Sequence, residues 1–256
     1  MRNALLIFLF FFVLPALQSC SIKEDRSKCL AKLILDMSEL DHERFDSVSV
    51  DIRSPMGLLY RGVVYSPQFV PDWVVEVPRD RLVLMAATGD GGFMSSDGRV
   101  RIPAGEQCPP LYCSRALFPV DSECCEREVT LEKQFCTVIV TVEGISHLAV
   151  RICGGVDGYD AVMIPHPGVF DYCSPPFSGT FSIRVPRQID TSLSLSLVEG
   201  DTILHTITLG ERLASCGYDW TADSLGDVLL DIKLRDAVVN VFLSSWTPGS
   251  SFSVVM

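Results

Sequence analysis

The feature that most constrains the fold is an alternation of polar and apolar residues with a period of two. It is clearest in residues 180–185 and 192–197, where every second residue is large and apolar. Because successive side chains of a β-strand point to opposite faces, each segment would place its apolar side chains on one face of a sheet. Residues 227–235 repeat the pattern, with Leu229 as the one exception. The alternation predicts strands with a core face and a solvent face.

Similar segments run through most of the chain, separated by short turn-rich sequences. The further candidate strands are residues 30–35, 47–52, 58–65, 73–77, 82–87, 129–142, 148–153, 203–209 and 238–243. Turns such as 89–92 and 199–201 suit the positive φ of hairpins, and such short connections favour antiparallel pairing. Only residues 38–45, opening at Ser38, predict a short helix. The sequence therefore predicts an all-β, antiparallel fold with at least twelve strands and disfavours a parallel α/β fold.

A proline-rich stretch divides the strand pattern. Residues 103–128 contain four prolines and show little alternation, which is typical of a domain boundary or a long crossover; the prolines are Pro103, Pro109, Pro110 and Pro119. We expect a border near residue 126, with one β-sandwich over residues 30–126 and a second over residues 127–256. Both lengths lie within the usual range for a domain.

Composition and charge limit the classes of partner. The 256 residues are 48% hydrophobic and 21% charged, which is enough apolar material for packed cores and excludes disorder as the main state. A net charge of −11 argues against a nucleic-acid partner. Beyond the N-terminus no apolar run reaches the length of about 18 residues that a membrane-spanning helix needs. The mature chain is therefore expected to be soluble unless a lipid tethers it.

The N-terminus has the features of a bacterial lipoprotein signal peptide. Arg2 precedes the apolar run at residues 4–17, which Gln18, Ser19 and Cys20 follow. We expect residues 1–19 to be removed after the Cys20 thiol has received a diacylglycerol. Because each buried methylene contributes about 0.8 kcal/mol, two or three acyl chains would hold Cys20 at a membrane. The alternative is an ordinary secretory signal with an incidental cysteine.

The residues after Cys20 form a charged tether over residues 20–29, with little that could pack into a core. The sequence Cys-Ser-Ile-Lys-Glu-Asp-Arg from Cys20, followed closely by Cys29, resembles the mature start of the fimbrillin-associated anchor lipoproteins, the FimB-type anchors of Bacteroidales fimbriae. In that family, acidic residues just after the lipidated cysteine are associated with transfer to the outer face of the outer membrane. Lys23, Glu24 and Asp25 resemble such a surface-export signal.

The resemblance implies an architecture and a role. The architecture is two tandem transthyretin-like antiparallel β-sandwich domains after a lipoprotein signal peptide. The role is that of a non-enzymatic, cofactor-free lipoprotein at the base of a fimbria, which binds the last fimbrial subunit by β-strand exchange and ends polymerisation. The alternatives are a stalk or tip subunit, a surface glycan- or protein-binding lipoprotein, and a secreted hydrolase.

The C-terminal segment has the pattern of a short strand. Phe252, Val254 and Met256 share one face of it, and the polar residues 244–250 precede it. Such a strand could pair within its own sheet or complete the sheet of another chain. Because subunits of the resembled family join by strand exchange, these three residues are the candidate donor strand.

The cysteines beyond Cys20 do not predict a metal or a disulfide framework. Nine remain, an odd number that cannot pair completely within one chain. We expect most of them to be buried thiols, since a chain of this length has cores large enough to dispense with disulfides. Cys108 and Cys113 could close a small ring. The sequence contains no C-x-x-C pair and no H-E-x-x-H, so neither a metal nor a cofactor is predicted.

The sequence also nominates no catalytic residue. The four histidines are scattered, and no G-x-S-x-G, P-loop or G-x-G-x-x-G occurs. His205 falls in the apolar phase of its candidate strand and is predicted to be a core or edge histidine. Two carboxylates that converge in space could still serve a glycosidase, but the sequence singles out no pair.

Overall fold

A computed structural model describes residues 29–143, 148–233, 238–243 and 252–255 of the chain. Nearly all regular structure in these residues is β, which confirms the predicted fold class. The strands are β1 (Ala31–Asp36), β2 (Ser47–Ser54), β3 (Gly57–Tyr65), β4 (Trp73–Val77), β5 (Arg81–Thr88), β6 (Val100–Arg101), β7 (Tyr112–Pro119), β8 (Cys124–Glu128), β9 (Glu132–Lys133), β10 (Phe135–Glu143), β11 (Ala149–Tyr159), β12 (Pro165–Cys173), β13 (Gly179–Pro186), β14 (Ser194–Glu199), β15 (Thr202–Ile207), β16 (Val228–Lys233), β17 (Val238–Leu243) and β18 (Phe252–Val255). A 3₁₀ turn spans Ser66–Gln68, and the α-helix α1 spans Leu209–Ser215.

The first half of the chain builds two sheets. One has the order β4-β1-β8 and the other the order β3-β2-β5-β7-β9. Most pairs are antiparallel, but β1 and β8 run parallel. Alternate residues of the central strands are fully buried in one hydrophobic cluster, among them Leu33 and Leu35 of β1, Val50 of β2 and Leu84 of β5. This is the core face that the alternation predicts.

The second half builds two further sheets. Their orders are β13-β10-β16-β17-β18 and β12-β11-β14-β15, and the short strand β6 from the first half pairs with β11. Here β10 and β16 are the parallel exception. Val138, Ile152, Ile183 and Leu195 are fully buried between them. They belong to the same continuous cluster as the core of the first half.

The change from one pair of sheets to the other occurs at Gln134. β8 pairs with β1, and β9 pairs with β7, so the N-terminal sheets continue through Lys133. The expected border at residue 126 therefore lies inside β8. A second buried cluster covers this junction, with Met85 and Val100 from the first half against Tyr159 and Met163 from the second. The division into two domains remains a prediction.

Two local predictions are wrong. Residues 38–45 form turns instead of a helix, because the carboxylate of Asp36 accepts hydrogen bonds from Ser38 and that of Asp41 accepts them from the amides of Glu43 and Arg44. Short acidic side chains that bind nearby backbone in this way compete with helix formation. In the second half, α1 begins at Leu209, which the sequence pattern places at the end of the strand 203–209.

The proline-rich stretch is also more regular than its sequence suggests. It contains β7 and β8, although Tyr112 and Cys113 are both buried and so break the alternation. Cys113 belongs to the second cluster, so both faces of the sheet are covered at this end of β7. The strand β12, with Pro165 and Pro167, was missed for a different reason. It lies at the edge of its sheet, where proline is tolerated.

Candidate functional site

The strand β1 lies in the middle of its sheet. It pairs antiparallel with β4 from Ala31 to Leu35 and parallel with β8 from Lys32 to Asp36. Ala31, Leu33 and Leu35 are fully buried, whereas Lys32 is exposed. The chain thus uses its own first strand to fill the gap between β4 and β8, and loss of that strand would open an apolar groove.

The predicted lipidation and export residues lie a few positions before β1 in the sequence. Cys20, Lys23, Glu24 and Asp25 lie outside the described residues, which begin at Cys29. Cys29 itself is exposed. The proposed lipid and the buried strand β1 are therefore joined by a short run of sequence.

The predicted donor strand forms part of a sheet of its own chain. Phe252 and Val254 lie in β18, where they pair with Val241 and Val239 of β17. Met256 lies outside the described residues. β18 is the last strand of the order β13-β10-β16-β17-β18, and β17 is its partner in the described part of the chain. The sequence left open whether this strand pairs within its own sheet or completes the sheet of another chain, and here it pairs within its own sheet.

A second edge strand was not singled out by the sequence. β3 is the outermost strand of the sheet β3-β2-β5-β7-β9 and exposes Leu59, Val63 and Tyr65 on its outer face. Arg61 shares that face but is held by Asp51 of β2, with Arg61 Nε 2.8 Å from Oδ1 and Nη2 2.6 Å from Oδ2. Large apolar residues at three of the four outward positions 59, 61, 63 and 65 are the signal that could have identified this edge.

One cluster of titratable side chains lies around Asp157. His166 Nδ1 lies 3.1 Å from Asp157 Oδ1, and Arg101 Nη1 lies 2.7 Å from the same oxygen. No hydroxyl or thiol of the described residues bonds to this histidine, so the pair is not part of a nucleophile–base arrangement there. His205 is half-buried on the edge strand β15, and His147 lies outside the described residues.

The nine cysteines from Cys29 onward are free thiols. Cys108, Cys113, Cys136 and Cys216 are buried. Burial raises the pKa of Cys113 and of Cys136 to about 12, which keeps both as neutral thiols at physiological pH. Within the ranges that the structure describes, no group of three or more His, Cys, Asp or Glu side chains is placed to hold a metal ion.

No helix in the described part of the chain is both long enough and apolar enough to cross a membrane.

Comparison with solved structures identifies the fold. No family model matches the chain, and no curated protein matches its sequence. The fimbrial anchor protein Mfa2 from Porphyromonas gingivalis aligns with a TM-score of 0.60 at 12% identity, over 85% of this chain and 98% of that one. A candidate polysaccharide-binding protein from Bacteroides thetaiotaomicron aligns with a TM-score of 0.62 at 12% identity, over 89% and 98%.

A candidate adhesin from Bacteroides ovatus gives a TM-score of 0.60 at 11% identity, over 91% of this chain and 97% of that one. The chain therefore spans nearly the whole length of each of these structures. At such low identity the likeness establishes the fold. The resemblance inferred from the residues after Cys20 is confirmed at that level, because this chain has the fold that a Bacteroidales fimbrial anchor and candidate adhesins share.

Proposed function

We propose that this protein is a cell-surface lipoprotein that anchors a fimbria to the outer membrane and ends its polymerisation. The observation that carries the proposal is the position of β1. Its buried residues fill the gap between β4 and β8, so no strand from another chain can enter there while β1 stays in place. A lipid on Cys20, only a short tether away, requires that the N-terminal segment be retained. Such a chain can begin or end a polymer but cannot accept a strand at this position.

The opposite end of the chain offers a way to bind the last subunit. Among the described strands, β18 is the last of its sheet, and four residue pairs from Val238–Val255 to Val241–Phe252 hold it to β17. A four-residue edge strand leaves its sheet at lower cost than a central one, because backbone hydrogen bonds on one side only are broken. Released, it would complete a sheet of the neighbouring fimbrial subunit by strand addition.

The fold comparison supports the same role, since the fimbrial anchor protein Mfa2 aligns over nearly its full length. In this proposal Lys23, Glu24 and Asp25 direct the lipoprotein to the outer face of the outer membrane. Its partners are fimbrial subunits, and no cofactor takes part.

Deletion of the gene tests the role directly. Immunoblots would compare fimbriae on cells with fimbriae in the culture medium, and electron microscopy would measure filament length. Shed or unusually long filaments are expected if the protein anchors and terminates. Unchanged, cell-bound filaments would refute both roles, and loss of all filaments would point to a structural subunit.

Two variants separate the lipid from the strand. Cys20→Ala should release the protein and its fimbriae from membranes. Val254→Asp should leave a folded, membrane-bound protein that no longer captures fimbriae. Ser253→Asp is the matched control, because in the sequence Ser253 lies on the opposite face of the same strand. Full capture of fimbriae by Val254→Asp would contradict the strand mechanism.

A further inference from the structure

An open cleft lies at one end of the sheet β3-β2-β5-β7-β9. Its walls come from the start of β2, the end of β5, the start of β7 and the turn before β2, and its volume is about 420 Å³. Gly89 lets two of these walls approach closely: its φ is +77°, and a Cβ there would lie 2.1 Å from the carbonyl oxygen of Pro110. The volume is within the range of about 300–1,000 Å³ that is usual for ligand sites.

The exposed side chain of Arg44 lies against Tyr112 at this cleft. Its guanidinium carbon lies 4.4 Å from the centroid of the Tyr112 ring, and Nη2 donates to the Tyr112 hydroxyl. Tyr112 is itself fixed, because Phe45 and Phe135 contact its ring edge-on at centroid distances of 5.2 and 5.5 Å. The Arg44 amide donates to Asp41 Oδ1 at 3.1 Å. A side chain fixed in this way loses little entropy when it binds a ligand.

No carboxylate of the described residues forms an ion pair with Arg44. Arg53, Arg61, Arg101 and Arg151 each form an ion pair with an aspartate. For Arg44 the structure places no carboxylate of the described residues within ion-pair distance, although the chain carries eleven more acidic than basic residues. A guanidinium has five N–H donors in a planar fork that matches a carboxylate. A guanidinium that no carboxylate of the described residues pairs with therefore points to an anionic ligand.

The other polar side chains that line the cleft favour some anions over others. Asp46, Ser47 and Thr88 also face the cleft. The Asp46 carboxylate repels a small inorganic anion, but it accepts hydrogen bonds from hydroxyl groups, and the two side-chain hydroxyls both donate and accept. A ligand that carries hydroxyls beside a single carboxylate satisfies all of these groups.

We propose that this cleft binds a carboxylated sugar, a hexuronate unit of an acidic polysaccharide. Arg44 receives the carboxylate, and Asp46, Ser47 and Thr88 receive the ring hydroxyls. None of these residues belongs to β1 or β18. The site is therefore independent of the anchoring role, and either proposal can fail without the other.

Titration calorimetry of the purified full chain with trigalacturonate tests the site, with maltotriose and acetate as ligands that each carry only part of the chemistry. We expect trigalacturonate to bind and the other two to bind at least tenfold more weakly. Arg44→Gln should weaken trigalacturonate binding about tenfold or more, and Asp46→Asn should weaken it less. Arg115→Gln is the control, because Arg115 is exposed on β7 away from the cleft.

The outcomes that overturn the proposal are distinct. Failure of the unchanged protein to bind trigalacturonate excludes the site without reference to any variant. Equal binding of maltotriose would show that Arg44 does not select a carboxylate. Equal binding of acetate would show that the cleft holds a simple anion only. If Arg115→Gln weakened binding as much as Arg44→Gln, the sugar would lie elsewhere.

Discussion

Arginine side chains have two kinds of partner in this fold. On the sheet face next to β3, Arg53 and Arg61 are neutralised by Asp51, whose side chain is 11% exposed. Arg187 instead donates only to neutral groups: the Gln134 amide oxygen at 2.9 Å and four backbone carbonyls at 2.6–3.3 Å, those of Trp220, Ala222, Lys133 and Asp223. The first kind responds to pH, whereas the second holds loops together at any pH at which arginine is charged.

The Asp51 cluster predicts a pH-dependent stability. Burial raises the pKa of Asp51, but the hydrogen bonds and charges of Arg61 and Arg53 outweigh it, so the net pKa lies below its usual value. The unfolded carboxyl, with a pKa of about 3.9, then takes up a proton at higher pH than the folded one. Its contribution to the free energy of unfolding is complete above about pH 5 and is lost as the pH falls through 3.9 towards the folded pKa.

Asp51→Asn should therefore lower the free energy of unfolding by about 1–3 kcal/mol at pH 7, and the difference from the unchanged protein should shrink below pH 4. Urea unfolding at a series of pH values measures both quantities. Asp72→Asn, at an exposed position before β4, is the control and should show neither effect. A difference that stays constant down to pH 3 would contradict the assignment.

At the scale of elements, β1 is the strand on which the N-terminal sheet depends. Leu33 is fully buried, and its two neighbours in the ladders are Val75 and Cys125. Leu33→Ala should lower the free energy of unfolding by about 2–5 kcal/mol, through lost burial and the cavity that remains. Denaturant unfolding measures the loss. Lys32→Ala, at the exposed position beside it, should change the stability by less than about 0.5 kcal/mol.

A synthetic peptide of residues 29–38 extends this test. If β1 fills an otherwise open groove, a chain that lacks residues 20–37 should bind the peptide and regain stability, and a peptide with Leu33→Asp should not bind. Equal stability of the shortened chain without peptide would mean that the gap between β4 and β8 closes by itself, which would contradict the proposal that β1 keeps other strands out of an open groove.

Strands could be predicted where one face is buried and the other is solvated. β4 has the predicted boundaries, Trp73–Val77, and its burial alternates along the strand. Prediction failed where local sequence and tertiary contacts disagree. In β7, both Tyr112 and Cys113 are buried because the second half of the chain packs on the outer face of this sheet, and no local pattern reports such a contact.

The same limit applies to the candidate sites. The lipoprotein start and the terminal strand are each a single continuous stretch of sequence, so the pattern of each could be recognised. The cleft at Arg44 joins residues from three separate segments, 44–47, 88–89 and 110–112, and Arg44 in the sequence is one arginine among many. Its significance depends on the ring of Tyr112, 68 positions away, and on the lack of a carboxylate within ion-pair distance among the described residues. Both are properties of the folded chain.

At the scale of the whole molecule, the two halves of the chain are physically continuous. One hydrophobic cluster contains core residues of all four sheets, and a second contains Met85 and Val100 together with Tyr159 and Met163. The Tyr159 side chain is fully buried, and its hydroxyl donates to the carbonyl of Gln134 and accepts from the amide of Arg187. In the proposed anchoring role, such a junction would carry tension between the fimbria and the lipid through packed side chains.

This continuity predicts that the two halves unfold together. Trp73 reports on the first half and Trp220 on the second. Two test proteins both carry Trp246→Phe; one also carries Trp220→Phe and the other Trp73→Phe, so each keeps a single tryptophan. The two proteins should give the same urea midpoint by fluorescence. Tyr159→Ala removes the ring at the junction and should separate the two midpoints, because each half then loses the packing that couples it to the other. Tyr159→Phe keeps the ring and should lower both midpoints together, since only the hydroxyl bonds are lost. Midpoints that already differ in the unchanged junction would mean that the two halves unfold as independent domains.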